Sequence, residues 1–202
     1  MSLWLSAEPL VLASNSAIRR SMLEAAGIPV DVSPADVDER AIEARAGVGH
    51  PGEVAQLLAR EKARVVSARS GRRFVVGADQ TLALGERRFS KPADRAAARD
   101  QLRALAGRSH ELHSAVAVAR DGRVVFSHVD VARLTMRAIS ERFLDLYLDA
   151  AGTSVTASVG GYQIERLGVQ LFERIEGDHF TILGMPLFAL LGFLRREGSL
   201  AG

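Results

Sequence analysis

Cysteine is absent from this chain of 202 residues, so neither a disulfide framework nor a thiolate metal site can form. Aromatic residues are scarce, at 5% of the sequence, and the formal net charge is only +2. Proteins that bind nucleic acid combine a basic surface with aromatic rings on which bases stack. The composition therefore predicts no nucleic-acid partner.

Long hydrophobic runs are also missing. The best candidate, residues 186–194, is far shorter than the roughly 20 residues that a membrane span requires. The N-terminal segment lacks the basic start of a signal peptide, and Glu8 and Pro9 interrupt its apolar stretch. We therefore expect a cytoplasmic protein with no membrane partner.

Lysine is the rarer of the two basic residues. Of the 26 basic residues 24 are arginine, and the exceptions are Lys62 and Lys91. An ammonium group is a compact point charge with three donors, which suits it to binding phosphate. Chance retention of two lysines is the alternative interpretation until the motifs around them are considered.

Strand and helix patterns alternate along the chain and predict an α/β fold with helices flanking a mixed, twisted sheet. Asp121-Gly122 predicts a hairpin turn. The predicted strands are residues 10–13, 28–32, 74–78 continuing through 81–84, 109–119, 124–136, 162–164 and 169–172. The predicted helices are residues 18–26, 53–70, 94–105, 139–149 and 187–196, and residues 34–52 are predicted to be a loop with no more than a turn of helix.

The first chemical candidate lies where the first strand turns into the first helix. Ser14 and Ser16 precede that helix, and Arg19 and Arg20 lie in its first turns. The free N–H groups of a helix start, the hydroxyl groups and the guanidinium groups can all bind phosphoryl oxygens. A serine N-cap followed by exposed arginines is the structural alternative.

The second candidate is Asp79, which ends an apolar strand within Gly77-Ala78-Asp79-Gln80 and is followed later by Lys91-Pro92. Sheets of α/β proteins place their ligands at such strand ends. A carboxylate there can bind Mg²⁺ or accept a proton from an attacking water molecule. An aspartate that only caps the strand end is the alternative.

Other patterns are weaker. The carboxylates of Asp36, Asp38 and Glu39 can recruit a divalent cation, although such clusters are more often solvated turns. The five histidines are scattered along the chain, and we expect them to be structural or surface residues rather than metal ligands. The sequence contains no P-loop and no dinucleotide-binding glycine motif.

In their order along the chain, these motifs resemble those of the Maf family of nucleotide pyrophosphatases. Both lysines fall on motif positions, which favours a phosphate-binding role for them over chance. The matching segments are Leu12-Ala13-Ser14-Asn15-Ser16-Ala17-Ile18-Arg19-Arg20, Asp38-Glu39, Glu61-Lys62-Ala63, Gly77-Ala78-Asp79-Gln80, Lys91-Pro92, Gly107-Arg108-Ser109-His110, Phe172-Glu173-Arg174-Ile175-Glu176-Gly177-Asp178 and Gly184-Met185-Pro186-Leu187.

The resemblance implies one domain over residues 1–202, with two lobes around a cleft that receives the nucleotide. It implies hydrolysis of a nucleoside triphosphate between its α- and β-phosphates, which yields a monophosphate and pyrophosphate and depends on Mg²⁺ or Mn²⁺. Asp79 would accept the proton of the water molecule and, with Glu39, would hold the metal. The residues that would bind the phosphates are Ser14, Arg19, Arg20, Lys62 and Lys91. A homodimer is a further expectation.

The resemblance also bears on the substrate. The spacing before Arg19-Arg20, together with Gln80 and Glu165, is closer to the branch that cleaves 7-methyl-GTP than to the branch that cleaves dTTP and UTP. Ile18 stands where the former branch tends to have tryptophan, so a ring that would stack on the cationic base is missing. A dTTP and UTP pyrophosphatase is the alternative.

Two rival interpretations belong to other classes of protein. An enzyme of the inosine-triphosphate pyrophosphatase type has similar chemistry and a similar fold, but the Arg19-Arg20 pair and the Gly77–Gln80 motif favour the Maf family. A non-catalytic, nucleotide-binding regulator of cell division is the second rival. The presence of Asp79 together with both lysines argues for catalysis instead.

Overall fold

The computed structural model describes residues 3–47 and 49–202. The strands are β1 (Leu10–Leu12), β2 (Val30–Val32), β3 (Val75–Leu84), β4 (Arg87–Phe89), β5 (Ser109–Arg120), β6 (Arg123–Met136) and β7 (Phe172–Glu176). The α-helices are α1 (Ala17–Ala25), α2 (Glu39–Ala46), α3 (Pro51–Ser67), α4 (Arg95–Leu105), α5 (Glu141–Ala151), α6 (His179–Ile182) and α7 (Leu187–Arg196). Short 3₁₀ helices cover Gly152–Thr156, Val159–Gly161 and Leu167–Leu171.

The strands form a mixed sheet in the order β2-β1-β3-β5-β6-β7, and β4 pairs with β3. The first strand is parallel to both of its neighbours, because Leu12 lies opposite Val32 of β2 and opposite Val76 of β3. By contrast, β4 is antiparallel to β3 and β7 is antiparallel to β6. This mixed sheet with its helices confirms the predicted α/β class.

Residue contacts divide the chain into two compact units. The first unit comprises the residues up to Gln80, Ser114–Asp130 and His179–Gly202. The second unit comprises Thr81–His113 and Val131–Asp178. Strands β3, β5 and β6 each contribute residues to both units. The single domain over residues 1–202 that the resemblance implies stays a prediction.

The two faces of the sheet in the first unit are packed differently. Val76 and Ala78 of β3 face a cluster that includes Leu23 of α1 and Leu190 of α7. The opposite face packs against α3 through small side chains, which let the helix lie close to the sheet. The alanines of this second contact, all fully buried, are Ala55, Ala59 and Ala63 of α3 and Ala115, Ala117 and Ala119 of β5.

The second unit has a core of leucines, and exposed ion pairs join two of its helices. The ion pairs between α4 and α5 involve side chains that are partly open to water, so each is worth little in stability. They nevertheless join the two helices side by side, with one ion pair in each of three successive turns. The pairs are Arg95 with Asp149, Arg99 with Asp145 and Arg103 with Glu141, and the buried leucines are Leu102, Leu105, Leu134, Leu144, Leu148 and Leu171.

Most of the predicted elements are confirmed, including the hairpin at Asp121-Gly122 and the closing helix Leu187–Arg196. Three predictions are wrong. Residues 169–171 of the strand predicted at 169–172 lie in a 3₁₀ helix, and β7 begins only at Phe172. The loop predicted for residues 34–52 contains the 8-residue helix α2, and residues 162–164 form no strand. Gly160 and Gly161, just before the latter segment, have positive φ angles of 80° and 74°, which turn the chain out of an extended course. Within residues 3–47 and 49–202, every helix is too short or too polar to cross a membrane.

His110 is buried in the second unit, as expected for a structural histidine. Its Nε2 atom lies 2.7 Å from the hydroxyl oxygen of Tyr162, and the ring of Phe172 packs beside both. Burial lowers the pKa of His110 to about 4 from the ordinary value of 6.5. The imidazole is therefore neutral at pH 7 in the folded protein.

We expect this histidine to weaken the protein in mild acid. Between pH 6.5 and 4 the unfolded chain binds a proton at His110 whereas the folded protein does not, so the free energy of unfolding falls as the pH falls. From pH 7 to 4.5 the native protein should lose roughly 2 to 3 kcal/mol more than a His110→Gln variant. Urea unfolding at both pH values measures this loss, with the more exposed His128→Gln as the control. Equal losses in the native protein and His110→Gln would contradict the expectation.

Candidate active site

Three charged side chains from three elements form one cluster: Asp79 of β3, Lys62 and Glu39. The Nζ atom of Lys62, on α3, lies 2.6 Å from Oδ1 of Asp79 and 2.6 Å from Oε1 of Glu39, on α2. Asp79 is 9% exposed, whereas half of the Glu39 side chain is open to solvent. The structure thus brings together the predicted base, the predicted second metal ligand and one of the two lysines.

Local sequence signals explain why α2 presents Glu39 at this point. The carboxylate of Asp38 caps the helix by accepting a hydrogen bond from the N–H of Ala41 at 3.0 Å. Gly47 ends the helix in the left-handed conformation, with φ at 63°. Of the acidic cluster noted in the sequence, Asp38 therefore caps the helix, Glu39 contacts Lys62, and Asp36 is exposed.

Gly77 sets the distance between α3 and β3. A Cβ atom at this position would lie 2.2 Å from the carbonyl oxygen of Ala59 and 2.7 Å from the backbone nitrogen of Ala63. These are backbone atoms of α3, so they cannot rotate away. Because Asp79 follows Gly77 by two residues, it faces the same side of the strand, where α3 carries Lys62.

The environment of Asp79 makes it a stronger base than an exposed aspartate. Burial raises the pKa of Asp79. The charges of Lys62 and Arg19 and the hydrogen bond from Lys62 lower the pKa, the charge of Glu39 raises it, and the net direction is upward. A carboxylate with a raised pKa accepts a proton more readily, while the ammonium group holds it in place.

The helix start after β1 has the predicted form. The Oγ atom of Ser16 caps α1 by accepting a hydrogen bond from the N–H of Arg19 at 3.4 Å. The Oγ atom of Ser14 accepts a hydrogen bond from the N–H of Ser16 at 3.2 Å. The serine N-cap is thus confirmed for Ser16, and Ser14 lies immediately beside it.

The guanidinium group of Arg19 points into the protein. Its Nη1 donates to the carbonyl oxygen of Ala78 at 2.8 Å, and its Nε donates to the carbonyl oxygen of Gly184 at 3.0 Å. Burial lowers the pKa of Arg19, and the charges of Asp79 and Glu39 oppose this change. Since an arginine in a protein keeps its proton, Arg19 supplies a fixed positive charge next to Asp79.

Other predicted site residues belong to α1 and to the second unit. Arg20 is exposed on α1, where its Nε donates to Glu24 at 2.7 Å. Ile18 is half-buried on the same helix. Lys91 and Glu165 are exposed residues of the second unit, Lys91 after β4 and Glu165 in a turn. Their predicted contacts with a substrate stay predictions.

Gln80 is held by residues that the sequence did not single out. Its Nε2 atom lies 2.9 Å from Oγ of Ser114, 3.1 Å from the carbonyl oxygen of Thr181 and 3.0 Å from that of Ile182. Ser114 is a polar residue in an otherwise apolar part of β5, and this was the one sequence signal that could have identified it as a site residue. Carbonyl acceptors such as those of Thr181 and Ile182 leave no trace in a sequence.

A magnesium ion bound together with a triphosphate would find its carboxylate ligands in Asp79 and Glu39, which both contact the ammonium group of Lys62. Their Oδ1 and Oε1 atoms are no more than 5.2 Å apart, because each lies 2.6 Å from the same Nζ. Magnesium in nucleotide enzymes is held by one or two carboxylates together with phosphate oxygens and water. No cluster of three or more histidine and acidic side chains within residues 3–47 and 49–202 could hold a metal ion by itself. Phosphate and water oxygens would therefore complete its coordination.

Comparison with known proteins gives consistent matches in sequence. A family model described as Maf-like protein matches residues 9–197. A protein of Rhodopseudomonas palustris named nucleoside triphosphate pyrophosphatase is 59% identical over 201 residues, which cover 100% of both chains. A protein of Rhizobium etli named 7-methyl-GTP pyrophosphatase is 50% identical over 196 residues, which cover 96% of this chain and 98% of the relative.

Among solved structures, a dITP/XTP pyrophosphatase from Mycobacterium abscessus matches 65% of this chain and 76% of its own at 18% identity, with a TM-score of 0.41. The sequence matches, by contrast, extend over almost the whole chain. The chain belongs to the Maf family.

Proposed function

We propose that the protein is a nucleoside triphosphate pyrophosphatase, which hydrolyses the bond between the α- and β-phosphates to give a nucleoside monophosphate and pyrophosphate. The observation that carries the proposal is the buried Asp79 held at 2.6 Å by Lys62, with Arg19 beside it. A relative with 59% identity over the whole chain bears the name of this activity.

The proposed reaction uses Asp79 as the base. Asp79 takes a proton from a water molecule, whose oxygen forms a bond to the α-phosphorus. The bond from that phosphorus to the bridging oxygen breaks, and pyrophosphate leaves with the bonding electrons. The positive charges of Lys62 and Arg19 stabilise the negative charge that develops on the phosphates. Ser14 lies beside Arg19 and supplies a hydroxyl group to the same phosphates.

We propose Mg²⁺ or Mn²⁺ as the cofactor, held by Asp79 and Glu39. When bound, such an ion neutralises the charge of the triphosphate and polarises its phosphoryl oxygens. We also propose that Arg20 and Lys91 contact the phosphates, because both are exposed basic residues on motif positions.

For the substrate we propose 7-methyl-GTP, with dTTP and UTP as the alternative. Support comes from the relative with 50% identity that is named for 7-methyl-GTP, and from Gln80 and Glu165, which fit that branch. Ile18 lacks the ring that would stack on the methylated base. A non-catalytic regulator that binds nucleotides is the candidate from another class, and a buried base beside two cations argues against it.

A kinetic panel tests the proposed function. Pyrophosphate release is measured with 7-methyl-GTP, dTTP, UTP, dITP and the common triphosphates, in Mg²⁺, in Mn²⁺ and in excess chelator. We expect the highest kcat/KM for 7-methyl-GTP and no turnover in chelator. If kcat/KM is highest for dTTP and UTP, the alternative substrate is the correct one. Absence of pyrophosphate from every nucleotide would overturn the enzymatic proposal and leave the nucleotide-binding regulator.

Lys62→Gln should lower kcat/KM for the best substrate by roughly a hundredfold or more, because it removes the point charge that faces both Asp79 and the phosphates. The matched control is Arg64→Gln on the same helix, because Arg64 is half exposed and bonds Glu61 instead. We expect this control to stay within about twofold of the native protein. A loss of less than tenfold for Lys62→Gln would contradict its assigned role.

A further inference from the structure

The end of α6 and the two residues after it, Thr181–Gly184 (called the turn below), are held to β3 and α1 through their carbonyl oxygens. The carbonyl oxygens of Thr181 and Ile182 accept hydrogen bonds from Gln80, and that of Gly184 accepts one from Arg19. The carbonyl oxygen of Thr181 also accepts a hydrogen bond from the N–H of Gly184 at 3.1 Å, so the side-chain donors add to a backbone contact at this helix end. Gln80 and Arg19 therefore both hold the segment Thr181–Gly184.

Gln80 is oriented away from Asp79. Consecutive residues of a strand face opposite sides of the sheet, and Asp79 contacts Lys62 of α3 whereas Gln80 contacts Ser114 and the turn. Three acceptors of the protein surround the amide nitrogen of Gln80, which has two hydrogens. The donor half of this side chain is thus fully used inside the protein.

Ser114 ties the arrangement together. It is fully buried, and its Oγ donates to the carbonyl oxygen of Thr181 at 2.6 Å while it accepts a hydrogen bond from Gln80 at 2.9 Å. A hydroxyl group can serve as donor and acceptor at once, which alanine cannot. Without the hydroxyl, the carbonyl oxygen of Thr181 would lose its donor at 2.6 Å and Gln80 would lose one of its three acceptors.

Arg19 lies at the other end of this network. Its Nε and Nη1 atoms donate to Gly184, Ala78 and Ser14, which leaves only Nη2 without an acceptor among residues 3–47 and 49–202. A Cβ atom at Gly184 would lie 3.3 Å from this Nη2 and 3.7 Å from Cδ of Gln80, so the turn packs against both side chains. The direction of Nη2 is therefore set jointly by the bond to Gly184 in the turn and by the bonds of Nη1 to Ala78 and Ser14.

We propose that Gln80 and Ser114 are positioning residues, which fix the turn Thr181–Gly184 and through it aim Nη2 of Arg19 at the triphosphate. This inference rests on the proposed function, because it takes the triphosphate as the ligand of Arg19. It assigns to Gln80 a role in orienting a phosphate-binding residue, beyond the preference for the base that its motif position suggests. A residue that reads the base affects some nucleotides only, whereas one that aims Arg19 affects every ligand that carries the phosphates.

Binding of inorganic triphosphate with Mg²⁺, measured by titration calorimetry, separates these roles because this probe has no base. We expect Ser114→Ala and Gln80→Leu each to weaken binding by about tenfold, and Ser114→Thr, which keeps the hydroxyl, to retain native affinity. Ser67→Ala is the matched control. It also removes a buried serine of the first unit, one that bonds Gly122 away from this turn, and should not change affinity.

A double-variant cycle tests whether the effect passes through Arg19. In an Arg19→Lys background, which loses the forked contacts, Ser114→Ala should weaken triphosphate binding by less than about twofold. The inference would be overturned if both single variants kept native affinity, or if Ser114→Ala caused the same tenfold loss in the Arg19→Lys background. It would also be overturned if the native protein did not bind triphosphate. Binding without any turnover of nucleotides would overturn the proposed function alone.

Discussion

Asp79→Asn should reduce the rate of pyrophosphate release by about a thousandfold while the protein stays folded. The amide cannot accept a proton from water, whereas its oxygen can still accept the hydrogen bond that Lys62 now donates to Oδ1 of Asp79 at 2.6 Å. The variant thus removes the base with little change in shape. Steady-state release with the best substrate measures the loss, and thermal unfolding checks the fold.

The control for this variant is Asp94→Asn. Asp94 caps α4 by accepting a hydrogen bond from the N–H of Ala97 at 2.8 Å, and asparagine caps a helix about as well as aspartate. We expect native turnover from this control. An Asp79→Asn variant that keeps more than a tenth of native turnover would show that another group removes the proton.

Gly77→Ala should destabilise the protein by about 3 kcal/mol or more, since overpacking of a tight core costs about 1 to 3 kcal/mol even when side chains can move. Here the added Cβ would meet the carbonyl oxygen of Ala59 at 2.2 Å, and this backbone atom belongs to a helix. Helix α3 would have to move off the sheet and take Lys62 away from Asp79. Stability and turnover should therefore fall together, with the midpoint of thermal unfolding lower by roughly 10 °C.

Gly192→Ala provides the comparison for this substitution. Gly192 lies in α7, where the nearest atom to an added Cβ is Nη1 of Arg196 at 3.6 Å, an ordinary contact with a flexible side chain. Alanine is the better helix former, so we expect unchanged or slightly higher stability. If Gly77→Ala unfolds within about 1 kcal/mol of the native protein, the close approach of α3 to β3 does not set the site.

Some of the site follows directly from the sequence. The apolar run before Asp79 predicts its carboxylate on a buried strand, and Lys62 stands out because lysine is so rare in this chain. The predicted strand end at Asp79 is wrong, because β3 continues to Leu84 and Asp79 lies within it. Helix α2 shows the limit of periodicity, since only Ile42 of its residues is buried and no apolar face marks it. Its caps, Asp38 and Gly47, were the signals that could have identified it.

Other parts of the site depend on contacts that a sequence does not record. The motif that contains Gly77 was recognised, but its contact with the backbone of α3 appears only when helix and strand are packed. The bonds from Arg19 to Ala78 and Gly184 join residues far apart in the chain, and their acceptors are backbone carbonyls, which every residue possesses. For that reason the sequence could name Arg19 and Gln80 as site residues without showing what holds them.

The most direct test of the central claim is the identity of the products. The native protein is incubated with Mg²⁺ and the substrate that it turns over fastest, and the reaction is followed by ³¹P NMR. The proposed function requires one pyrophosphate for each nucleoside monophosphate, with no diphosphate at any time. Formation of nucleoside diphosphate and inorganic phosphate, or no change in the triphosphate, would contradict hydrolysis between the α- and β-phosphates.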